Sequence, residues 1–396
     1  LAPSTQVDTE TSINVLSDIE FTLNGIYSTM QSSDAYSGRL VYYGDVTGDD
    51  MQAVSSTKRT GNYYRFNFTK DNGPSSHWSY LYSIIQNCNL ILMNVDKLSI
   101  DEDETEYKND LKGQALAIRG MALFDLTRIF GYPYLKDNGA SLGVPIVKEL
   151  STIDSKPARN TVAECYTEII SDLKNSTELL SGDFNKGKVN RWAAMTLLSR
   201  VYLYKGDEAL TMAENAIKGA EKEGYALWTN EEYPTAWGND ASASNPGEIL
   251  FEIVNLTTDS PGKESMGYLN SYNGYDDMCI TCSFYQLLKK DPKDVRLKIL
   301  SFDKKYYAYV NKYQPQQGEN ITDANIPLIR LSEAYLNAAE AAVQTGDNAK
   351  AVKYLNSIVQ RANPENSVEG KTLTLENVLD ERRKELVAEG HRMYDV

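Results

Sequence analysis

The side chains best placed to do chemistry in this sequence are flat aromatic rings set among polar turns. The chain carries 27 Tyr against 9 Phe, and tyrosine tolerates half-exposure because its ring offers an apolar face while its hydroxyl stays in water. Tyr42-Tyr43, Tyr63-Tyr64 and the trio Tyr268, Tyr272 and Tyr275 fall in stretches rich in Gly, Ser, Asn, Thr and Asp, where no apolar stripe demands their burial. Trp237 and Tyr233 lie in a similar stretch and offer a second wall. Rings of this kind, with a few planar amides, carboxylates or guanidinium groups beside them, match a sugar: the rings meet its C–H surface and the polar groups its hydroxyls.

Each of these residues also has a plainer reading. Trp78 shares a stripe with Leu81, Ile84 or Ile85 and Cys88 and reads as core, as does Trp192. Trp228 and Trp237 stand evenly between core and ligand wall. Asp45, Asp49 and Asp50 lack the D-x-D-x-D-G spacing and closing glutamate of a calcium loop, so they read as solvated loop acids. Arg382, Arg383, Glu385, Glu389 and Arg392 recur at helical spacing and read as an ion-paired helix face.

Other chemistries find little support. A net charge of −15 repels phosphate backbones, and no segment carries a basic patch, so nucleic acid is not an expected partner. His77 and His391 stand near opposite ends of the chain, and G-x-S-x-G, P-loop and H-E-x-x-H signatures are absent. A glycosidase needs only two carboxylates about 5 to 10 Å apart in a cleft, but nothing singles out a pair. The expectation is a protein that is not an enzyme and has no cofactor. Cys279 and Cys282 form a lone C-x-x-C without two further ligands in reach for zinc, and read as ordinary thiols or one local disulfide. No apolar run approaches the roughly 20 residues that cross a bilayer.

The elements that must hold these rings are helices. Leu111, Ala115, Ile118, Ala122, Leu126 and Ile129 draw one stripe, which Gly131-Tyr132-Pro133 stops. Thr161 with Glu164 forms a capping box ahead of a stripe through Cys165, Ile169 and Leu173. Helix, Gly-Asp turn, helix then occurs twice, around Gly206-Asp207 and Gly346-Asp347, with Ala334, Ala338, Ala341 and Ala342 on one packing face. Units of roughly 34 residues built this way follow the tetratricopeptide pattern, in which small residues let paired helices approach closely. The expected fold is mainly all-α: one unit over 1–396, with a helical-repeat scaffold over 78–223 and 326–396. Irregular loops over 34–77 and 224–325 are expected to carry the ligand site.

Several of these blocks resemble one family. Leu111-Lys-Gly-Gln-Ala-Leu-Ala-Ile-Arg-Gly-Met-Ala-Leu-Phe-Asp-Leu-Thr-Arg-Ile-Phe-Gly-Tyr-Pro-Tyr134, Trp78-Ser-Tyr-Leu-Tyr82, Gly143-Val-Pro-Ile-Val147, Pro157-Ala-Arg-Asn-Thr161, Ile326-Pro-Leu-Ile-Arg-Leu-Ser-Glu-Ala-Tyr-Leu336 and Glu381-Arg-Arg-Lys-Glu-Leu-Val-Ala-Glu-Gly-His-Arg392 occur in the order found in the SusD/RagB-like outer-membrane lipoproteins of Bacteroidetes. The resemblance implies a cell-surface protein that captures oligosaccharides or polysaccharides for a SusC-like, TonB-dependent transporter, with a site in the more variable loops. It places an acidic ligand contact at Asp49 and Asp50, with Arg59 following. It also implies a lipidated N-terminal cysteine, which Leu1-Ala-Pro-Ser4 lacks, so the anchor is expected ahead of Leu1. The ligand set expected from rings and resemblance together is Asp49, Asp50, Arg59, Tyr63, Tyr64, Trp237, Tyr268, Tyr272 and Tyr275. Some relatives take peptides, and a repeat scaffold that binds protein in its groove is the remaining alternative.

Overall fold

A computed structural model describes residues 13–69, 73–152, 154–207, 209–238, 246–316 and 320–396. The anchor-related stretch Leu1–Ser4 lies outside them. Helix accounts for about 54% of the described residues, in agreement with the mainly all-α class. In chain order the α-helices are α1 (Leu16–Met30), α2 (Arg39–Val46), α3 (Gly61–Tyr64), α4 (Ser75–Asn94), α5 (Thr105–Phe130), α6 (Val162–Leu179), α7 (Arg191–Lys205), α8 (Leu210–Lys222), α9 (Met266–Leu269), α10 (Cys282–Lys289), α11 (Leu331–Gln344), α12 (Asn348–Ala362), α13 (Leu375–Leu386) and α14 (Arg392–Asp395). Among the described residues six short strands, β1 (Met51–Ala53), β2 (Ile249–Ile253), β3 (Met278–Ile280), β4 (Leu300–Phe302), β5 (Ala308–Val310) and β6 (Ile326–Arg330), form three antiparallel pairs: β1 with β3, β2 with β6 and β4 with β5.

Successive helices pack on one another from α4 through α8, and α11 joins α8 before pairing with α12. The stripes in the sequence become the seams. Ala334, Ala338, Ala341 and Ala342 are all buried on α11. On α5, a Cβ added at Gly120 would stand 3.1 Å from Leu173 Cγ, so glycine there sets how closely α5 and α6 approach. Thr161 caps α6 by accepting from Glu164 N, while Glu164 accepts from Thr161 N at 2.7 Å, as the capping box requires. The Gly206 turn adopts φ +78°, a left-handed conformation that favours glycine. Between the seams, Arg119 makes two 2.7 Å hydrogen bonds to Asp172 and one of 2.9 Å to Asn89 Oδ1, tying α5 to α6 and α4.

The irregular lobes hold more structure than the sequence suggests. The stretch 34–77 contains α2 and the start of α4, and Tyr42 and Tyr43 are core residues of α2, 3% and 5% exposed. Every residue from Leu40 to Val46 is buried, so this helix has no polar face and shows no stripe. The pairing of β1 with β3 joins the two irregular stretches, in the register Met51↔Ile280, Gln52↔Cys279 and Ala53↔Met278. Cys279 is a buried free thiol within this pair, and Cys282 an exposed one.

The acidic and basic residues near the C-terminus are ion-paired as expected, and much of their network lies in the interior. Glu385 accepts from Arg361 Nη2 at 2.5 Å and Arg330 Nη1 at 3.1 Å, and Arg296 Nη1 lies at 3.4 Å. Glu389 bonds Lys312 and Arg330, and Arg296 reaches Asp294 and Glu381. Burial pushes the Glu385 carboxyl up, but the surrounding cations Arg361, Arg330, Arg296 and Lys312 more than offset this and hold it well below the usual carboxylate range.

Candidate functional site

The two irregular stretches meet at Arg59. After β1, the chain turns so that Thr60 N and Oγ1 both donate to Asp277 Oδ1 at 3.0 Å, just beyond the β1–β3 pair. Asp277 is fully buried and anchors this corner; Arg59 Nη1 lies 3.6 Å from its other oxygen. Arg59 then makes a two-point bond to Glu264, from Nε at 2.7 Å and Nη2 at 2.6 Å, in the fork geometry that suits a carboxylate. Its guanidinium carbon stands 4.2 Å over the ring centroid of Tyr275.

The loop from Tyr268 to Asp277 is closed by its own backbone. Tyr275 N donates to Tyr268 O at 2.9 Å and Asp277 N to Leu269 O at 3.0 Å. A Cβ at Gly274 would fall 2.0 Å from Tyr268 O, so only glycine fits this return. As a result Tyr268 and Tyr275, seven positions apart in sequence, meet at 4.9 Å with rings at 85°. Tyr272 is 45% exposed and leans toward Tyr309, 6.0 Å away.

On the other side of Arg59 a cavity of about 280 Å³ is lined by Arg39, Tyr42, Arg59, Asn62, Tyr63 and Ser75, together with Gly73 and Ser76. No carboxylate lines it among the described residues. The nearest acids are committed: Asp34 to Arg39 at 2.5 Å, Glu264 and Asp277 to Arg59. Tyr63 is buried, packed against Tyr42, Tyr43 and His77. It supports an outer lip: Phe68 lies 5.8 Å from Tyr63, and Phe66 5.8 Å from Phe68. Tyr64, Phe66 and Phe68 are 39%, 54% and 37% exposed. Phe66 has φ +52°, a conformation costly for a side chain with a Cβ, so this ring is displayed against local preference.

Of the expected ligand residues, the structure brings Arg59, Tyr63, Tyr64, Tyr268, Tyr272 and Tyr275 into this region, with Tyr63 as its buried support. Asp49, Asp50 and Trp237 are engaged elsewhere. Asp50 is 1% exposed and accepts from Arg383 Nη2 at 2.6 Å. Asp49 accepts from Arg392 Nη2 at 3.0 Å, and that bond holds its carboxyl below the usual range. Asp45 is buried too and accepts from Gly390 N. These three acids pin the first irregular stretch to α13, α14 and the turn between them; Asp45 and Asp50 are buried rather than the solvated loop acids expected, while Asp49 stays exposed. Trp237 is 5% exposed, packed between Trp228 at 5.0 Å and Tyr233 at 5.5 Å. Lys312 Nζ and Arg330 stand 4.9 and 4.8 Å from its ring centroid, so it roofs the buried ion network and its faces are covered. Phe66, Phe68, Glu264 and Asp277 were not singled out from the sequence. The run Tyr63-Tyr64-Arg65-Phe66-Asn67-Phe68 was the available signal for the two phenylalanines.

The fold is thus a helical scaffold carrying an aromatic, arginine-centred surface where two irregular loops meet, the form of a ligand-capturing protein. Comparison with known proteins agrees with that class. Residues 2–203 match a family model described as SusD-like, starch-binding and associating with the outer membrane, and residues 301–396 match the SusD family. The chain belongs to the SusD family. A solved structure of a candidate sugar-binding protein from Bacteroides vulgatus is 99% identical with a TM-score of 0.96, covering 98% of this chain and 87% of that one. A SusD-like protein of Bacteroides ovatus is 24% identical over 369 residues; the match takes in 82% of this chain and spans 65% of the relative's length. The starch-binding protein SusD of Bacteroides thetaiotaomicron is 35% identical over 92 residues, 23% of this chain and 16% of that protein.

Proposed function

We propose that this protein captures oligosaccharide or polysaccharide chains at the outer-membrane surface and passes them to a SusC-like, TonB-dependent transporter, without catalysing a reaction. The observation that carries the reading is the Arg59–Tyr275–Tyr268 stack beside a small polar cavity and an exposed aromatic lip. Pyranose rings would lie against Tyr275, Tyr272 and the Phe66–Phe68 lip, while Arg59, Asn62 and the hydroxyl of Ser75 meet sugar hydroxyls. At about 280 Å³ the cavity falls just below the roughly 300–1,000 Å³ range of ligand pockets, so one sugar unit occupies it while the rest of the chain runs over the rings. Family membership supports the outer-membrane location, and with it the transporter partner and a lipid anchor. Asp49, Asp50 and Trp237 act in this reading as supports of the loops, not as ligand contacts.

Calorimetric titration against soluble glycans and peptides tests it. Glycan binding is expected, with Tyr275→Ala weakening it by roughly ten-fold, the value of a lost stacking face. Peptide binding without glycan binding would replace sugar by peptide as the cargo.

A further inference from the structure

The hairpin β4–β5 and the preceding α10 present a surface that the site above does not use. Between Cys282 and Tyr306 the sequence holds seven basic residues against three acidic ones, although the whole chain carries a net charge of −15. One basic residue is internal, since Arg296 is buried against Asp294. Asp303 is spent on the turn: its Oδ1 accepts from Lys305 N at 2.9 Å and Tyr307 N at 2.8 Å. Lys289, Lys290, Lys298, Lys304 and Lys305 are exposed and form no ion pair among the described residues.

Three rings lie among these lysines. Tyr285 and Phe302 meet edge to face at 5.8 Å and 78°, with Phe302 46% exposed and Lys289 Nζ 5.7 Å from the Tyr285 centroid. Tyr306, at the hairpin tip, is 88% exposed and has φ +66°. Hairpin loops of this kind normally give the left-handed position to glycine. Among the described residues no ring or ion contact holds Tyr306, which is 88% exposed, and strain retained without a packing return points to use. The register Ser301↔Tyr309 and Phe302↔Ala308 turns Phe302 to the opposite face of the hairpin from Tyr309, which meets Tyr272.

We propose that this basic, aromatic face is a second carbohydrate-binding surface, one that takes a carboxylated polysaccharide. Sugar faces lie on Tyr285, Phe302 and Tyr306, and the lysines pair with carboxylates along the polymer. Charge complementarity selects an anionic chain. The edge-to-face Tyr285–Phe302 pair leaves Phe302 46% exposed, a half-enclosed ring surface against which a sugar can pack rather than a wedge for lipid. The surface works independently of the Arg59–Tyr275 site.

Affinity electrophoresis in native gels containing polygalacturonate tests this, with mobilities referred to polymer-free gels. Retardation is expected to weaken with added salt, to persist in Tyr275→Ala, and to fall roughly ten-fold in apparent affinity in the double variant Lys304→Glu/Lys305→Glu. Tyr306→Gly should weaken binding while holding or raising Tm, because it removes the left-handed strain as well as the ring. No retardation, retardation unchanged in the lysine variant, a lower Tm in Tyr306→Gly, or capture by phosphatidylglycerol vesicles in place of polygalacturonate would overturn the proposal.

Discussion

Replacing Trp237 by alanine separates a supporting ring from a ligand-binding one. The indole is 5% exposed, shares edge contacts with Trp228 and Tyr233, and is flanked by the charges of Lys312 and Arg330. Truncating a buried aromatic of this size costs about 3–5 kcal/mol through lost transfer energy and the cavity left behind. Opening that roof also admits water to the ion network, which places the cost toward the upper half of the range. At about 2.1 cal/mol/K per residue, the entropy of unfolding is on the order of 0.8 kcal/mol/K for a chain of this length, so ~4 kcal/mol lowers Tm by roughly 5 °C. Scanning calorimetry reads that shift directly. Glycan titration well below the transition should find Trp237→Ala binding as the parent does. An unchanged Tm together with lost glycan binding would refute the assignment of Trp237 to packing and return it to the ligand surface.

Two further outcomes follow from buried and exposed groups. Glu385→Gln leaves Arg330, Arg361 and Arg296 without their shared carboxylate, a loss of about 3–5 kcal/mol that calorimetry at neutral pH would show. The Glu385 carboxyl is held low in the fold, so its contribution is complete above the unfolded carboxylate pKa near 4.3 and declines as pH falls toward the folded value. The Tm gap between parent and variant should therefore be constant above about pH 5 and narrow below about pH 4; a gap that widens on acidification would contradict the network as drawn. Of the four cysteines, Cys282 is exposed while Cys88, Cys165 and Cys279 are buried, and burial pushes the Cys279 thiol up to about 11. A thiol reagent should label one site in the native protein, and peptide mapping should place it at Cys282.

The scaffold was legible where its helices keep one polar face, as α6, α8 and α12 do. It was legible too where local signals mark helix ends, as at α5, which is itself buried on all sides from Gly113 to Thr127. The stripe ending at Gly131, the Thr161–Glu164 box and the two Gly-Asp turns each record a local rule that the fold obeys. What stayed hidden was burial imposed from far away. Trp237 sits in a segment with no stripe of its own, yet residues from β6 and the stretch after β5 close over it. Asp50 looks like a loop acid until Arg383, 333 positions later, takes its carboxylate. The helix α2 escaped notice for the reverse reason, since burial on all sides erases period. The tyrosines of 268–275 were found by composition alone; their pairing depends on a backbone return that Gly274 permits. Charged residues spaced along α13 were legible as an ion-paired face, but helical spacing does not say that the partners are arginines buried in distant segments.

The most direct test of sugar capture at the Arg59–Tyr275 junction is a crystal structure of the protein with the oligosaccharide that calorimetry finds to bind most tightly. The account predicts a sugar ring against Tyr275 or the Phe66–Phe68 lip, with Arg59 or Asn62 in hydrogen-bond reach of its hydroxyls and Trp237 still enclosed. Sugar bound instead at Asp49 and Asp50, with Arg383 and Arg392 drawn away, or at an opened Trp237, would contradict it.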